Sequence, residues 1–544
     1  MQARVNNRLP RAEDSTEALP HDVRYAVRLL IKSPGFAVVA ILSLALGIGA
    51  NSTIFSFVSA LLFQPLPVDK PHKLAMIYTS DFSGPAFGSS SYPDYLDFRD
   101  KTTVFSGMVA RSLSSATATY GDQSEQLYGE MVTGNYFTVL GVSPSPGRGF
   151  LGQEDLTPGT HPVALISHGL WQRRFGSDPN EIGRTLALNG IPFTIAGVAP
   201  AGFRGVMGLM SAEVWVPIMM QPQLSFGRSR LQERGSRWLT VIGRLKPGAT
   251  VEQAQASLNV LAGQLKEAYG RAWIDVRNQG RRVTVLSESQ ARVPPGFSGE
   301  VIGFLGLLMA AVGLVLLIAC ANIANLLLAR ASHRQKEIAI RLSLGAGRLR
   351  LIRQLLTESV LLSFIGGSCG LALSSWTMNL FLGLRPPIPL PISIEPRLSA
   401  DVLGFTIGIS ILTAVLFGLA PSLQASKPAL VPSLKDETET SGFRLRRSSA
   451  RNAFVVAQVA LSLLLLIGSG LFLRSLSKAS AIDPGFDPRN MLLMSFNVRF
   501  SGYSEPGGRE FFGQVLERVR ALPGVTSATL ADATRSICSG LGGE

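Results

Sequence analysis

Histidine and cysteine are scarce in this 544-residue chain, and their scarcity removes several chemistries at once. The five histidines are scattered, with no H-E-x-x-H and no His/Asp/Glu cluster, so metal catalysis has no foothold. The three cysteines, Cys320, Cys369 and Cys538, form no C-x-x-C pair. Two of them lie in apolar runs, so neither a zinc site nor a disulfide framework is suggested. No G-x-x-x-x-G-K-[ST] loop is present to wrap a nucleotide phosphate. Charge is also sparse: only 16% of residues are Asp, Glu, Lys or Arg, against 46% hydrophobic. That balance points away from an ordinary soluble protein.

The charge that is present is biased. Lys and Arg number 51 against 37 acids, a net charge of +14, which suits either nucleic acid or a membrane surface. The cations cluster beside apolar runs and do not line one basic domain, so nucleic-acid binding is set aside.

A membrane span needs about 20 mostly apolar residues. Five stretches free of any charge reach that length: Ser33–Val68, Val301–Ala329, Ser359–Leu384, Val402–Ser426 and Asn452–Leu473. The first is preceded by too many residues, and its apolar part is too long, for a signal peptide. Lys and Arg in short loops mark the cytoplasmic side. Six precede the first span (Arg4, Arg8, Arg11, Arg24, Arg28, Lys32), six follow the second within Ala331–Gln354, and six separate the fourth and fifth. The loop after the third holds only Arg385 and Arg397. These counts predict a cytoplasmic N-terminus, with Asp69–Glu300 and the segment after Leu473 outside. No ionisable residue lies at a span centre, which disfavours an ion-coupled carrier. Asn51, Asn322, Asn325, Gln458 and several serines are expected to bond between helices.

Asp69–Glu300 reads as an α+β domain. Asn189-Gly190 between two apolar runs predicts a type I′ hairpin. Pro162–Ser167 reads as a strand entering a helix around Leu170, and Trp238–Leu245 as another strand. Thr250 with Gln253 makes a capping box that opens a helix to about Tyr269, and Arg282–Leu286 returns as a strand. No Ser/His/Asp or paired-carboxylate arrangement stands out, so the domain reads as a binding or conduit module with no enzyme activity.

Between the second and third spans, Ile338, Leu342, Gly345, Leu349, Ile352 and Leu356 form one apolar helix stripe, with Arg334, Arg341 and Arg348 off it. Gly345-Ala346-Gly347 should break or kink that helix. Two readings stay open on the residues alone: a membrane-surface helix, or a helix presented to a cytoplasmic partner.

Leu316–Arg330 followed by Arg334–Ala346 resembles the FtsX-type permease signature. Gly134–Val142 and Ile182–Gly190 resemble the MacB-type periplasmic core domain. The resemblance implies an α-helical polytopic membrane protein of the bacterial inner membrane, an FtsX-type helical domain with an α+β MacB-type periplasmic core domain inserted between spans one and two. Its divisions would be a cytoplasmic segment 1–33, a first helix 34–66, the core domain 69–300 and the permease domain 301–426. Within the last, residues 331–354 would form the coupling segment. A cytoplasmic linker 427–451 and a fifth helix 452–473 follow.

In that family the coupling segment seats on the nucleotide-binding subunit, and Glu337, Ile338, Arg341, Gly345 and Ala346 match its E-I-x-x-R-x-x-x-G-A pattern, with Arg348 beside them. With no L-S-G-G-Q either, the resemblance implies a separate cytoplasmic ATP-binding-cassette ATPase, the lipid bilayer as surroundings and a dimeric or pseudo-dimeric permease. It leaves room for a periplasmic adaptor or outer-membrane partner, and it calls for no cofactor and no nucleic acid. The implied function is efflux of a drug, peptide or lipoprotein. The alternative is a signalling protein of the same fold that activates a cell-wall hydrolase or another periplasmic partner.

Phe454–Gly470 repeats the length and small-residue placement of Phe36–Gly49. After it, Met491–Val498 reads as a strand, Arg509–Leu522 as a helix and Val525–Leu530 as a returning strand. This resembles the acidobacterial-type duplicated orphan permeases (ADOP), and it implies that 474–544 is the start of a second core domain, truncated.

Overall fold

The computed structural model describes residues 13–80, 87–120, 123–206, 211–224, 229–274, 279–333, 348–383, 399–425, 441–480, 491–492, 494 and 505–530. They group into a helical unit and an α/β unit.

The helical unit contains α1 (Glu13–Lys32), α2 (Pro34–Val58), α9 (Ser298–His333), α10 (Arg348–Gly383), α11 (Ala400–Ala425) and α12 (Ser441–Ser480). Pro34 stands at the start of α2, where its missing N–H costs nothing. A π-turn at Ser59–Phe63 prolongs this helix. Among the described residues, five helices are long and apolar enough to cross a membrane: Pro34–Phe63, Pro295–Leu327, Ile352–Leu380, Ala400–Gly418 and Val455–Ala479. α2 packs against α10, α9 and α11, and α12 packs along α9. Helices apolar on all sides cannot sort their faces by the hydrophobic effect, so close packing and buried hydrogen bonds must hold them together.

Two helices begin earlier than the apolar runs suggest. α10 starts at Arg348 and carries Arg353 and Glu358 into its span, and α12 starts at Ser441, inside the expected linker. A helix nucleated by an apolar stretch propagates upstream until a breaker stops it, because each added residue gains a bond at little cost.

The α/β unit contains strands β1 (Leu74–Thr79), β2 (Phe105–Tyr120), β3 (Gln123–Val132), β4 (Val163–Ile166), β5 (Thr185–Leu188), β6 (Ile191–Val198), β7 (Val214–Pro217), β8 (Thr240–Leu245) and β9 (Val283–Ser287). Its helices are α3 (Tyr92–Lys101), α4 (Tyr136–Leu140), α5 (His168–Phe175), α6 (Gln221–Leu224), α7 (Val251–Tyr269), α8 (Glu288–Ala291) and α13 (Glu505–Arg520).

The strand order is β3-β7-β4-β6-β5-β2-β8-β1-β9, and β3 pairs again with β2. The first six strands therefore close into a ring, which removes their free edges. The long strand β2 makes both halves possible: Phe105–Arg111 pairs with β8, and Arg111–Tyr120 pairs with β3. On the other side, β1-α3-β2 and β8-α7-β9 interleave in the order β2-β8-β1-β9, a split βαβ arrangement into which the ring is inserted. Large side chains such as Trp215, Trp273, Tyr95, Phe98 and Phe193 fill the cores of this unit.

The expected hairpin is present: Leu188 faces Ile191, with Asn189 at φ 52° and Gly190 at φ 77°, the two positive values a type I′ turn needs. Asn189 also accepts from the Thr117 N–H at 2.8 Å, which fastens the turn to β2. Thr250 and Gln253 form the reciprocal cap that opens α7. Toward the C-terminus α13 begins at Glu505, with Pro506 in its first turn. Val525–Leu530 is not a strand, because it finds no ladder partner among the described residues. Met491, Leu492 and Met494 are likewise irregular, and the rest of that expected strand lies outside the described residues.

Candidate coupling site

The segment singled out by sequence is bracketed by two long helices. α9 ends at His333 and α10 opens at Arg348, both in the helical unit. Glu337, Ile338, Arg341, Gly345 and Ala346 lie outside the described residues, and Arg348 is the first residue of α10.

What the bracketing helices grip is described in detail. Gly49 of α2 meets Gly370 of α10 so closely that a Cβ on Gly49 would lie 2.9 Å from the Gly370 carbonyl oxygen. Only glycine on both sides permits that approach. Around this contact runs a seam of small polar groups. Asn51 donates to the carbonyl oxygens of Gly47 and Val312, both at 2.8 Å, joining α2 to α9. Ser52 and Thr406 share a hydrogen bond of 2.9 Å between α2 and α11. Thr53 donates to Ser374 at 2.9 Å, joining α2 to α10, and Thr413 donates to Ser363 at 3.4 Å. Asn325 differs: its Oδ1 is buried without a partner among the described residues.

Glu358 is the residue that sequence reasoning passed over. It is 6% exposed on α10, next to the buried Ser359. Beginning the third span at Ser359 kept that span free of charge and put the carboxylate outside it. The available signal was a lone acid directly before an apolar run.

The α/β unit uses its buried charges to hold its own fold. Glu130 on β3 accepts from Arg111 Nη1 at 3.0 Å, from Tyr136 Oη at 2.8 Å and from Trp215 Nε1 at 3.0 Å. Burial, and then the Glu130 charge, hold the Tyr136 phenol well above its usual range, so it stays a neutral donor. A second knot joins α3 to the loop before β8. Asp94 takes Arg234 at 2.7 Å, Arg237 at 3.5 Å and Trp273 Nε1 at 3.1 Å, and Arg234 also reaches Asp97 at 2.6 Å. Asp155 is different in kind: burial pushes its carboxyl up to about 6, with the Gly134 N–H pulling the other way.

An open cavity of about 460 Å³ between α7 and β9 is lined by Gln255, Asn259, Lys266, Arg281, Arg282 and Thr284 among others. Gln255 closes the exposed edge of β9 there, donating to the Val283 carbonyl oxygen and accepting from the Val285 N–H. Among the described residues no three His, Cys, Asp or Glu gather as a metal site.

Comparison with known proteins gives two matched segments. Residues 37–261 match the MacB-like periplasmic core domain, and residues 309–430 match the FtsX-like permease C-terminal domain. The chain is 27% identical over 297 residues to the macrolide export ATP-binding/permease protein MacB of Chromobacterium violaceum, covering 54% of this chain and 41% of that protein. It is also 27% identical over 318 residues to the ABC transporter permease YvrN of Bacillus subtilis, covering 57% and 70%. Among solved structures, the periplasmic region of MacB from Actinobacillus actinomycetemcomitans aligns with 41% of this chain and 91% of its own length, at 15% identity and a TM-score of 0.30. The chain thus spans about two fifths of the length of the MacB relatives it matches.

Proposed function

We propose that this chain, whose residues 37–261 and 309–430 match the MacB-like periplasmic core and FtsX-like permease domains, is a MacB/FtsX-type ABC transporter permease that couples ATP hydrolysis by a separate cytoplasmic ATPase to motion of its outer domain. The matched segments are a periplasmic core domain and a permease domain, neither of them an ATPase, and the chain is a multi-pass membrane protein with a periplasmic-type domain. The N-terminus lies in the cytoplasm of a bacterial cell and residues 69–300 lie outside the inner membrane. The motion drives export of a drug, peptide or lipoprotein on the outer side, without passage through the spans, and the working permease is a dimer or pseudo-dimer. Residues 452–473 and 474–544 open a second copy of the same plan, as in duplicated permeases.

One observation carries the reading: the α/β domain sits in the chain between the first and second spans, and the next two helices bracket the basic segment 334–347. Glu337, Ile338, Arg341, Gly345, Ala346 and Arg348 form the surface that docks on the ATPase, with Ile338 its apolar anchor. An anchor at the centre of such a contact costs about 2 kcal/mol or more when lost, and a buried unpaired carboxylate adds to that. The test is co-purification. Ile338→Asp should lose the ATPase while still inserting in the membrane, and Arg350→Ala should retain it. Equal recovery of the ATPase with wild type and Ile338→Asp would return the segment to a plain surface helix.

A further inference from the structure

The C-terminal half of α1 carries three parallel stripes. Ala26, Leu29 and Leu30 are buried, at 2%, 8% and 7% exposure, where the helix packs on α2 and α10. Val27 and Ile31, four residues apart, form a second apolar stripe that is open, Ile31 being 72% exposed. Beside it run Arg24, Arg28 and Lys32, again at steps of four and all exposed. At 3.6 residues per turn the open apolar stripe lies between the buried stripe and the basic one. From Val23 to Ser33 no acidic residue accompanies the three cations, because the four acids of α1, Glu13, Asp14, Glu17 and Asp22, all lie in its first half. Ser33 then leaves helical geometry, at φ −132° and ψ 70°, so α1 ends there and the span α2 begins at Pro34 as a separate helix.

In water an exposed Ile31 beside Val27 would be unfavourable, and three unbalanced cations would repel one another. At a bilayer surface both features are satisfied together. An amphipathic helix rests with its apolar side about 5–10 Å into the boundary between headgroups and acyl chains, with its cations among the headgroups. Juxtamembrane cations are drawn specifically to acidic lipids.

We propose that the C-terminal half of α1, from Val23 to Lys32, is an interfacial helix whose Arg24, Arg28 and Lys32 hold the headgroups of acidic phospholipids, with Val27 and Ile31 immersed beneath them. The occupant is the lipid surface because the open stripe is apolar, the flanking stripe is uniformly cationic, and the helix is joined directly to a span. The inference is independent of the ATPase reading, since it concerns a helix outside the coupling segment.

The test uses the full-length protein in nanodiscs, with Cys320, Cys369 and Cys538 replaced by alanine. An environment-sensitive fluorophore is placed on Val27→Cys or on Arg24→Cys. In discs of phosphatidylcholine with phosphatidylglycerol, the probe at 27 should be blue-shifted and quenched by brominated acyl chains, and the probe at 24 should not. Discs of phosphatidylcholine alone, or the exposed-site variant Arg28→Gln/Lys32→Gln in acidic discs, should shift the probe at 27 back toward its emission in water. Size-exclusion and thermal profiles matching wild type would show that these variants fold. Quenching at 27 that ignores both lipid charge and the basic residues would overturn headgroup recognition. Equal, unquenched emission at 24 and 27 would overturn the interfacial placement itself.

Discussion

At the scale of single residues, this protein separates charges that hold the fold from charges that strain it. Glu130 accepts three hydrogen bonds in a site where it is 1% exposed, so its charge is fully engaged. Removing one partner leaves the other buried and uncompensated, at a cost of about 3–5 kcal/mol. Arg111→Met should therefore lower the unfolding temperature of the outer domain sharply, and Trp215 fluorescence, which lies against the same carboxylate, would report it. Asp155 makes the opposite case. Its folded pKa of about 6 lies above the ordinary carboxylate value, so the folded state binds the extra proton and the ionised form is the costly one. That cost is absent near pH 4, grows as pH rises and is complete above about 6. Asp155→Asn should stabilise the protein at pH 7.5, by about 3 kcal/mol at most, and should do little at pH 4. Melting curves at the two pH values check the sign.

At the scale of elements, much of the outer domain was legible. The hairpin at Asn189-Gly190 and the cap at Thr250 are local devices: each is set by two residues whose chemistry admits few alternatives. The closed ring was not legible, because it depends on β2 pairing with β3, β5 and β8 over different stretches, and no local pattern encodes that. Val525–Leu530 shows the converse: a strand-like pattern stays irregular where nothing is there to pair with it. In the helical unit the apolar runs located all five candidate spans, but Glu358 was missed because a run was trimmed at its charge. Asn51 was expected to bond between helices, and it does so to Val312. The residues of the proposed docking surface before Arg348 were marked by an apolar stripe with arginines off it and by the resemblance, and they lie outside the described residues.

The helix contacts give two graded expectations. Gly370→Val would drive a side chain into the Gly49 backbone, and overpacking of this kind costs about 1–3 kcal/mol. Asn51→Leu removes hydrogen bonds that in membranes average only about 0.6 kcal/mol. Thermal unfolding in detergent should therefore rank Gly370→Val as clearly worse than Asn51→Leu. The reverse order would mean that the Asn51 bond to α9 outweighs the glycine contact with α10 in holding α2 in place.

At the scale of the whole molecule, the account rests on a division of labour. In the α/β unit Glu130 and Asp94 are committed to its own fold, and the helical unit is held by glycine contacts and small polar bonds. Such a pair suits a machine in which force generated elsewhere moves one domain. The most direct measurement places spin labels at Leu156, exposed on the outer domain, and at Leu307, exposed on α9, in the complex with the co-purified ATPase. The account predicts that the distance distribution changes between the nucleotide-free and ATP-bound states, and that Ile338→Asp abolishes the change. An unchanged distribution in a complex that still hydrolyses ATP would contradict it.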